Sequence, residues 1–109
     1  MTYTPDRGDF IWLQFYPQAG HEQAGRRPAL VLSPKTYNEA AGLALVCPIT
    51  SRVKGYPFEV NLLEEGLVSG VVLADHARSV DWLAREASYI GSAPETVLSS
   101  VRQKLILLI

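Results

Sequence analysis

Seven apolar stretches of five to seven residues, broken by Gly, Pro and Asn, constrain this chain more than any other feature. They are too short and too rich in β-branched and aromatic residues for a set of helices, so they must pair as strands. FIWLQFY (10–16) is bounded by Gly8 and Pro17; PALVLS (28–33) and LALVCPI (43–49) read as core strands. PFEVNL (57–62) alternates, with Phe58, Val60 and Leu62 on one face, and predicts a half-buried strand. VVLAD (71–75), RSVDW (78–82) and ASYIG (87–91) follow, with Gly66 and Gly70 turning the chain before them. Residues 33–42, SPKTYNEAAG, suit one or two helical turns ended by Gly42.

The last stretch has a different period. In SAPETVLSSVRQKLILLI, Val97, Val101, Leu105 and Leu108 recur at spacings of four and three, which makes one helical face. Ser92 and Glu95 are spaced as a capping box, with Pro94 in the first turn. Such a helix either closes the strands into a barrel or packs on a partner. Strands at roughly 8 to 14 residue intervals with one terminal helix predict a mainly β protein, a small antiparallel barrel with a C-terminal α-helix.

A chain of 109 residues is enough for one domain, 1–109, with its own core. With 48% hydrophobic and 19% charged residues it is neither disordered nor fibrous. The single Cys47 sits in an apolar run, which excludes a disulfide framework and favours a reducing, intracellular setting. No segment approaches a membrane span, and MTYTPDRGD has no signal-peptide core, so the expected location is the cytoplasm. The net charge of −1 hides an asymmetry. Residues 26–54 hold Arg26, Arg27, Lys35, Arg52 and Lys54 against one acid, Glu39, whereas residues 55–95 hold seven acids against Arg78 and Arg85. That local positive excess is either ordinary surface charge or a field for phosphates.

Three places could carry chemistry. The loop PQAGHEQAGRR ends at Arg27, which Pro28 holds extended at the mouth of a strand. A planar guanidinium there suits a phosphate, or a carboxylate such as Glu22. In PITSRVKGYPFEV a core strand runs into Thr50, Ser51, Arg52 and Lys54 before GYP turns back. This arrangement fits an anion cradle or an ST-turn flanked by solvated cations. ADHARS clusters Asp75, His76, Arg78 and Ser79 at a strand junction, where His76 is a candidate for titration near neutral pH. No metal-ligand spacing, Gly-rich phosphate loop, G-x-S-x-G elbow or zinc-deaminase signature is present. From the residues alone the reading stops at a phosphate-directed small barrel, a candidate for binding RNA.

Taken together, GDFIWLQFYP, EQAGRRPALVLSP, PITSRVKGYPFEV and SGVVLADHARSVDW resemble the MazF/PemK family of toxin endoribonucleases, from about Gly8 to the last helix. The resemblance implies an SH3-like β-barrel with a C-terminal helix (MazF/CcdB-like) and a homodimer. It also implies a type II toxin that cuts single-stranded RNA, chiefly mRNA, at short sequence-defined sites. Neither metal nor cofactor is implied, and the partner is a cognate MazE-like antitoxin. Carried over by position, the catalytic residues are Arg27, Thr50 and Glu22. RNA contacts are expected from Gln23, Arg26, Ser51, Arg52, Lys54, Asp75, His76 and Arg78, with Phe15 and Tyr56 as stacking platforms. His76 stands where other members carry Gln, and Arg26 where some carry His. Two rivals remain at this point: a CcdB-like protein-inhibitor toxin acting on DNA gyrase, and a non-catalytic RNA-binding module. The ending LILLI lacks the Trp-Gly-Ile of CcdB.

Overall fold

The structure, a computed structural model, describes residues 2–15, 25–62 and 66–109. The strands are β1 (Asp9–Phe15), β2 (Gly25–Val31), β3 (Ala44–Thr50), β4 (Glu59–Asn61), β5 (Val71–Leu73), β6 (Arg78–Val80) and β7 (Ser88–Ser92). Helix α1 (Lys35–Ala41) lies between β2 and β3, a 3-10 turn (Ala74–His76) links β5 to β6, and helix α2 (Glu95–Ile106) follows β7. All pairings are antiparallel, in the order β4-β5-β3-β2-β1-β7, with β6 also on β3.

This is the expected mainly β antiparallel fold with a C-terminal helix, with one difference. Among the described residues no ladder joins β4 to β7, so the sheet curls without closing. Helix α2 packs instead across β4 and the 3-10 turn and covers the opening. The outer edge of β3 is shared: residues 44–46 pair with β6, while Ile49 and Thr50 pair with β5. The 3-10 turn bridges the break.

Period-2 alternation divides the strand side chains between two clusters. Phe10, Leu30, Cys47, Ile49 and Val72 face α2 and meet Val97, Leu98 and Val101. Ile11, Leu13, Ala29, Val31, Val46 and Val80 face the other way and pack with Trp82. Asn38 of α1 is fully buried, yet every polar atom is satisfied: its amide donates to the carbonyls of Pro5 (2.8 Å) and Ser33 (3.0 Å) and its own side-chain oxygen accepts from Ser33 Oγ. Its backbone carbonyl accepts from Trp82 Nε1 at 3.0 Å. A buried amide with all partners present costs little and ties α1 to the sheet.

Three expectations are corrected. The stretch 78–82 stops as a strand at Val80, because Asp81 starts a turn: its carboxylate accepts from Ala84 N–H at 3.0 Å and its carbonyl from Arg85 N–H at 3.0 Å. The Ser92–Glu95 capping box does not form. Pro94 is the N-cap without a side-chain cap bond, and Ser92 Oγ instead meets the Tyr89 hydroxyl at 3.1 Å. The helical face ends one turn early: Leu98 joins Val97 and Val101 in the core, Leu105 packs at its edge, and Leu108 lies beyond the helix, exposed. Among the described residues no helix is long and apolar enough to cross a membrane.

Candidate active site

The second cluster does not fill its face of the sheet. Along β1, β2 and β3 the apolar run Ile11, Leu13, Ala29, Val31, Val46 gives way at the far end of the same face to Phe15, Arg27, Pro48 and Thr50. These residues line an open cleft of about 650 Å³. Register brings them together. Ala29 pairs with Pro48 and Leu30 with Cys47, so the same register carried two residues further sets Arg27 opposite Thr50. Across β3, Arg78 is the register partner of Val46 and so shares that face.

Strand β2 begins at Gly25, three residues earlier than the sequence suggests, with Gly25 at φ +90°. Arg27 therefore sits within a strand, paired with Leu13, and its exposed guanidinium is aimed by the ladder rather than by a loop. Among the described residues no carboxylate lies within ion-pair distance of Arg27 or Arg52. Thr50 is held against β5: it pairs with Val71, and Gly70 (φ +106°) lies so close that a Cβ there would sit 2.2 Å from the Thr50 carbonyl oxygen. Its Oγ1 accepts from Arg52 N–H at 3.1 Å, an ST-turn. With a lone pair engaged, the hydroxyl hydrogen is the part offered to a ligand.

The remaining walls come from the chain that leaves β3 and from the 3-10 turn. Arg52, Lys54 and Tyr56 form one side; Asp75, His76 and Arg78 form the other. Lys54 Nζ lies 5.7 Å from the centre of the Tyr56 ring, and the guanidiniums of Arg78 and Arg85 lie 5.8 and 5.9 Å from that of Phe15. As placed, the Phe15 ring is a seat for cations. His76 Nε2 stands 3.8 Å from Asp75 Oδ1. Four cations (Arg27, Arg52, Lys54, Arg78) against two carboxylates (Glu59, Asp75) leave the lining at +2 with His76 neutral. Beneath it Cys47 is closed off: its thiol faces the Ala74 carbonyl, and burial, with the Asp75 charge adding, pushes it up to about 12. Among the described residues no three His, Cys, Asp or Glu converge.

Of the residues singled out from sequence, Arg27, Thr50, Arg52, Lys54, Tyr56, Phe15, Asp75, His76 and Arg78 meet in this cleft. Glu22 and Gln23 lie outside the described residues. Arg26 does not join them. Strand alternation puts it on the opposite face, where its Nη2 donates to the Glu86 carbonyl (2.8 Å) and Ser88 Oγ (2.6 Å). Ser51 is exposed outside the lining. Glu59 is a lining residue that the sequence reading passed over. Its only signal was an outward carboxylate in PFEVNL directly after GYP.

The family of PemK-like, MazF-like toxins of type II toxin-antitoxin systems matches residues 6–109. The endoribonuclease toxin MazF of Escherichia coli K12 is 47% identical over 107 residues, covering 98% of this chain and 96% of the relative. The endoribonuclease toxin ChpB of the same strain is 42% identical, covering 92% and 90%. Among solved structures, a MazE-MazF crystal structure from Deinococcus radiodurans superposes with a TM-score of 0.91 at 61% identity, covering 98% of this chain and 96% of the matched one. A match along almost the whole length, at this identity and with this fold, places the chain in the PemK-like, MazF-like family of type II toxins.

Proposed function

We propose that the cleft holds single-stranded RNA, chiefly mRNA, and cuts it at short sequence-defined sites without a metal, and that the protein acts in the cytoplasm as a homodimeric toxin silenced by a cognate MazE-like antitoxin. The whole chain, 1–109, serves as one toxin domain. Family membership and relatives named as endoribonucleases support the class of activity and count against both the gyrase-poison and the non-catalytic readings. The observation that carries the mechanism is the convergence of Arg27 and Thr50 from adjacent strands at the open end of one sheet face.

The reaction is a transphosphorylation. The ribose 2′-oxygen bonds to phosphorus and gives up its proton, the bond from phosphorus to the 5′-oxygen breaks, and that oxygen takes a proton as it leaves. The products are a 2′,3′-cyclic phosphate and a 5′-hydroxyl. DNA lacks the nucleophile and is spared. Negative charge grows on the non-bridging oxygens, where the Arg27 fork donates two parallel hydrogen bonds. The Thr50 hydroxyl donates a third or orients the 2′-OH. A guanidinium has only N–H donors and no acceptor, so Arg27 serves as a donor to the leaving oxygen and not as a base. Glu22 either orients Arg27 or receives the 2′-OH proton.

Purified protein incubated in EDTA with RNA of randomised sequence tests this. Expected are fragments with 5′-hydroxyl and 2′,3′-cyclic phosphate ends at a restricted set of sequences, and their loss with Arg27→Ala. Intact RNA in EDTA, or an Arg27→Ala variant as fast as wild type, would overturn the reading.

A further inference from the structure

The chain that leaves β3 doubles back over the eight residues 51–58 to reach β4, and the Glu59 carboxylate binds the turn from inside. Glu59 opens β4 and accepts from Gly55 N–H through Oε1 at 2.9 Å and from Lys54 N–H at 3.3 Å from each oxygen. Its own N–H donates to the Tyr56 carbonyl at 3.1 Å. From the far side, Lys104 of α2 donates to the Pro57 carbonyl at 2.6 Å. Gly55 takes φ +80°, a region open to glycine. On this base Tyr56 is 62% exposed, with the Lys54 ammonium over its ring, and Lys54, Tyr56 and Glu59 all line the cleft.

We propose that Glu59 is a positioning residue: its carboxylate fixes the 54–56 turn as the wall on which one nucleotide of the RNA docks, so it sets affinity and the choice of cleavage sequence rather than the rate of bond breaking. This rests on the ribonuclease reading above. The pair on the turn matches what one nucleotide presents, a ring for the base and an ammonium for its phosphate. An acid in a cleft that attracts phosphate works against binding unless it has another task. Here the task is visible: two backbone N–H groups of an exposed turn are satisfied by this carboxylate. The same bonds engage both carboxylate oxygens with the turn's amides, which separates Glu59 from a role as proton acceptor. Residues on the turn reach the base edges only if its backbone holds still, and a loosened wall admits more sequences.

The test uses the full chain in three forms: wild type, Glu59→Ala and Glu59→Gln. Hydrogen exchange at the Lys54 and Gly55 amides is expected to speed up about tenfold or more in Glu59→Ala. KM on single-stranded RNA is expected to rise about tenfold, with kcat changed less than about threefold, and end sequencing on a randomised RNA pool should show a broadened site preference. Glu59→Gln keeps one oxygen for the turn and should return KM to within about threefold of wild type, with the acidic limb of the kcat/KM profile intact. Exchange in Glu59→Ala equal to wild type overturns the proposal whatever the RNA results. A kcat lower by about a hundredfold, with the acidic limb lost in Glu59→Gln, overturns it in favour of Glu59 as proton acceptor. Wild-type protein that leaves RNA uncut overturns the ribonuclease reading instead, and the exchange data still decide whether Glu59 holds the turn.

Discussion

Replacing Arg27 by Ala removes a cation from an exposed strand position, so kcat/KM is expected to fall about 10²–10³-fold, the cost of one preorganised donor to a developing oxyanion. Thermal unfolding should hardly move, because Arg27 has no carboxylate partner among the described residues. Thr50→Val keeps the branched shape and loses both the donor and the acceptor that Arg52 N–H uses. A drop of about 10–100-fold is expected, and Thr50→Ser should recover most of it. Cys47 gives the pH dependence. Its folded-state pKa is raised from 9.0 to about 12, so the native state holds the proton more tightly than the unfolded chain. That contribution to stability is complete below about pH 9 and is lost as pH rises from 9 towards 12, where the unfolded thiol ionises and the native one does not. Urea midpoints measured between pH 8 and 11 should decline over this window, and the decline should shrink in Cys47→Ala.

Among the elements, α2 covers the opening that the sheet leaves. Leu98 and Val101 bridge it to the cluster of Leu30, Cys47 and Val72. Leu98→Ala is expected to cost about 2–5 kcal/mol by the lost transfer and the cavity left behind, read as a lower urea midpoint. The β3–β5 edge behaves differently, because there stability and the site share one contact. Gly70→Ala forces a methyl against the Thr50 carbonyl at a backbone angle that L-residues avoid. Expected are a loss of about 2–3 kcal/mol and a fall in kcat in the remaining folded protein, since the strand end bearing Thr50 is pushed. A variant with lowered stability and unchanged kcat would separate the two.

At the scale of the molecule, the net charge of −1 says little about binding, and the distribution decides. Arg27, Arg52 and Lys54 of the basic segment and three charged residues of the acidic half, Glu59, Asp75 and Arg78, meet in a lining of charge +2. If three or four of its cations neutralise phosphates, affinity for single-stranded RNA should fall with salt at a log–log slope of about −2 to −3. Fluorescence titration of a short RNA on the full chain between low and high salt, under EDTA at low temperature, checks this, and Arg27→Ala, with three lining cations left, should show a slope shallower by about 0.7. A short peptide rich in Asp and Glu should compete with RNA for the cleft and show the same salt dependence.

Local information settled a great deal. Alternation in PFEVNL placed Val60 inward, the apolar run around Cys47 predicted a buried thiol, and the tail's period predicted α2, because each depends on neighbours within a few residues. Arg27 and Thr50 were legible as a strand-mouth cation and a strand-end hydroxyl, and family resemblance named them together. Their facing positions were decided by the β2–β3 register, a pairing of residues twenty-three positions apart that no local pattern encodes. Register and parity also sent Arg26 to the opposite face, to Glu86 and Ser88, although it stands beside Arg27 in a basic pair. The capping box failed for the same kind of reason: Ser92 ends β7 paired with Asp9, so the strand ladder, not the helix, holds its backbone. Glu59 was hidden because an outward acid on a half-buried strand looks like solvated charge. Only the fold, by doubling the chain back over it, turned that carboxylate into the anchor of the cleft wall.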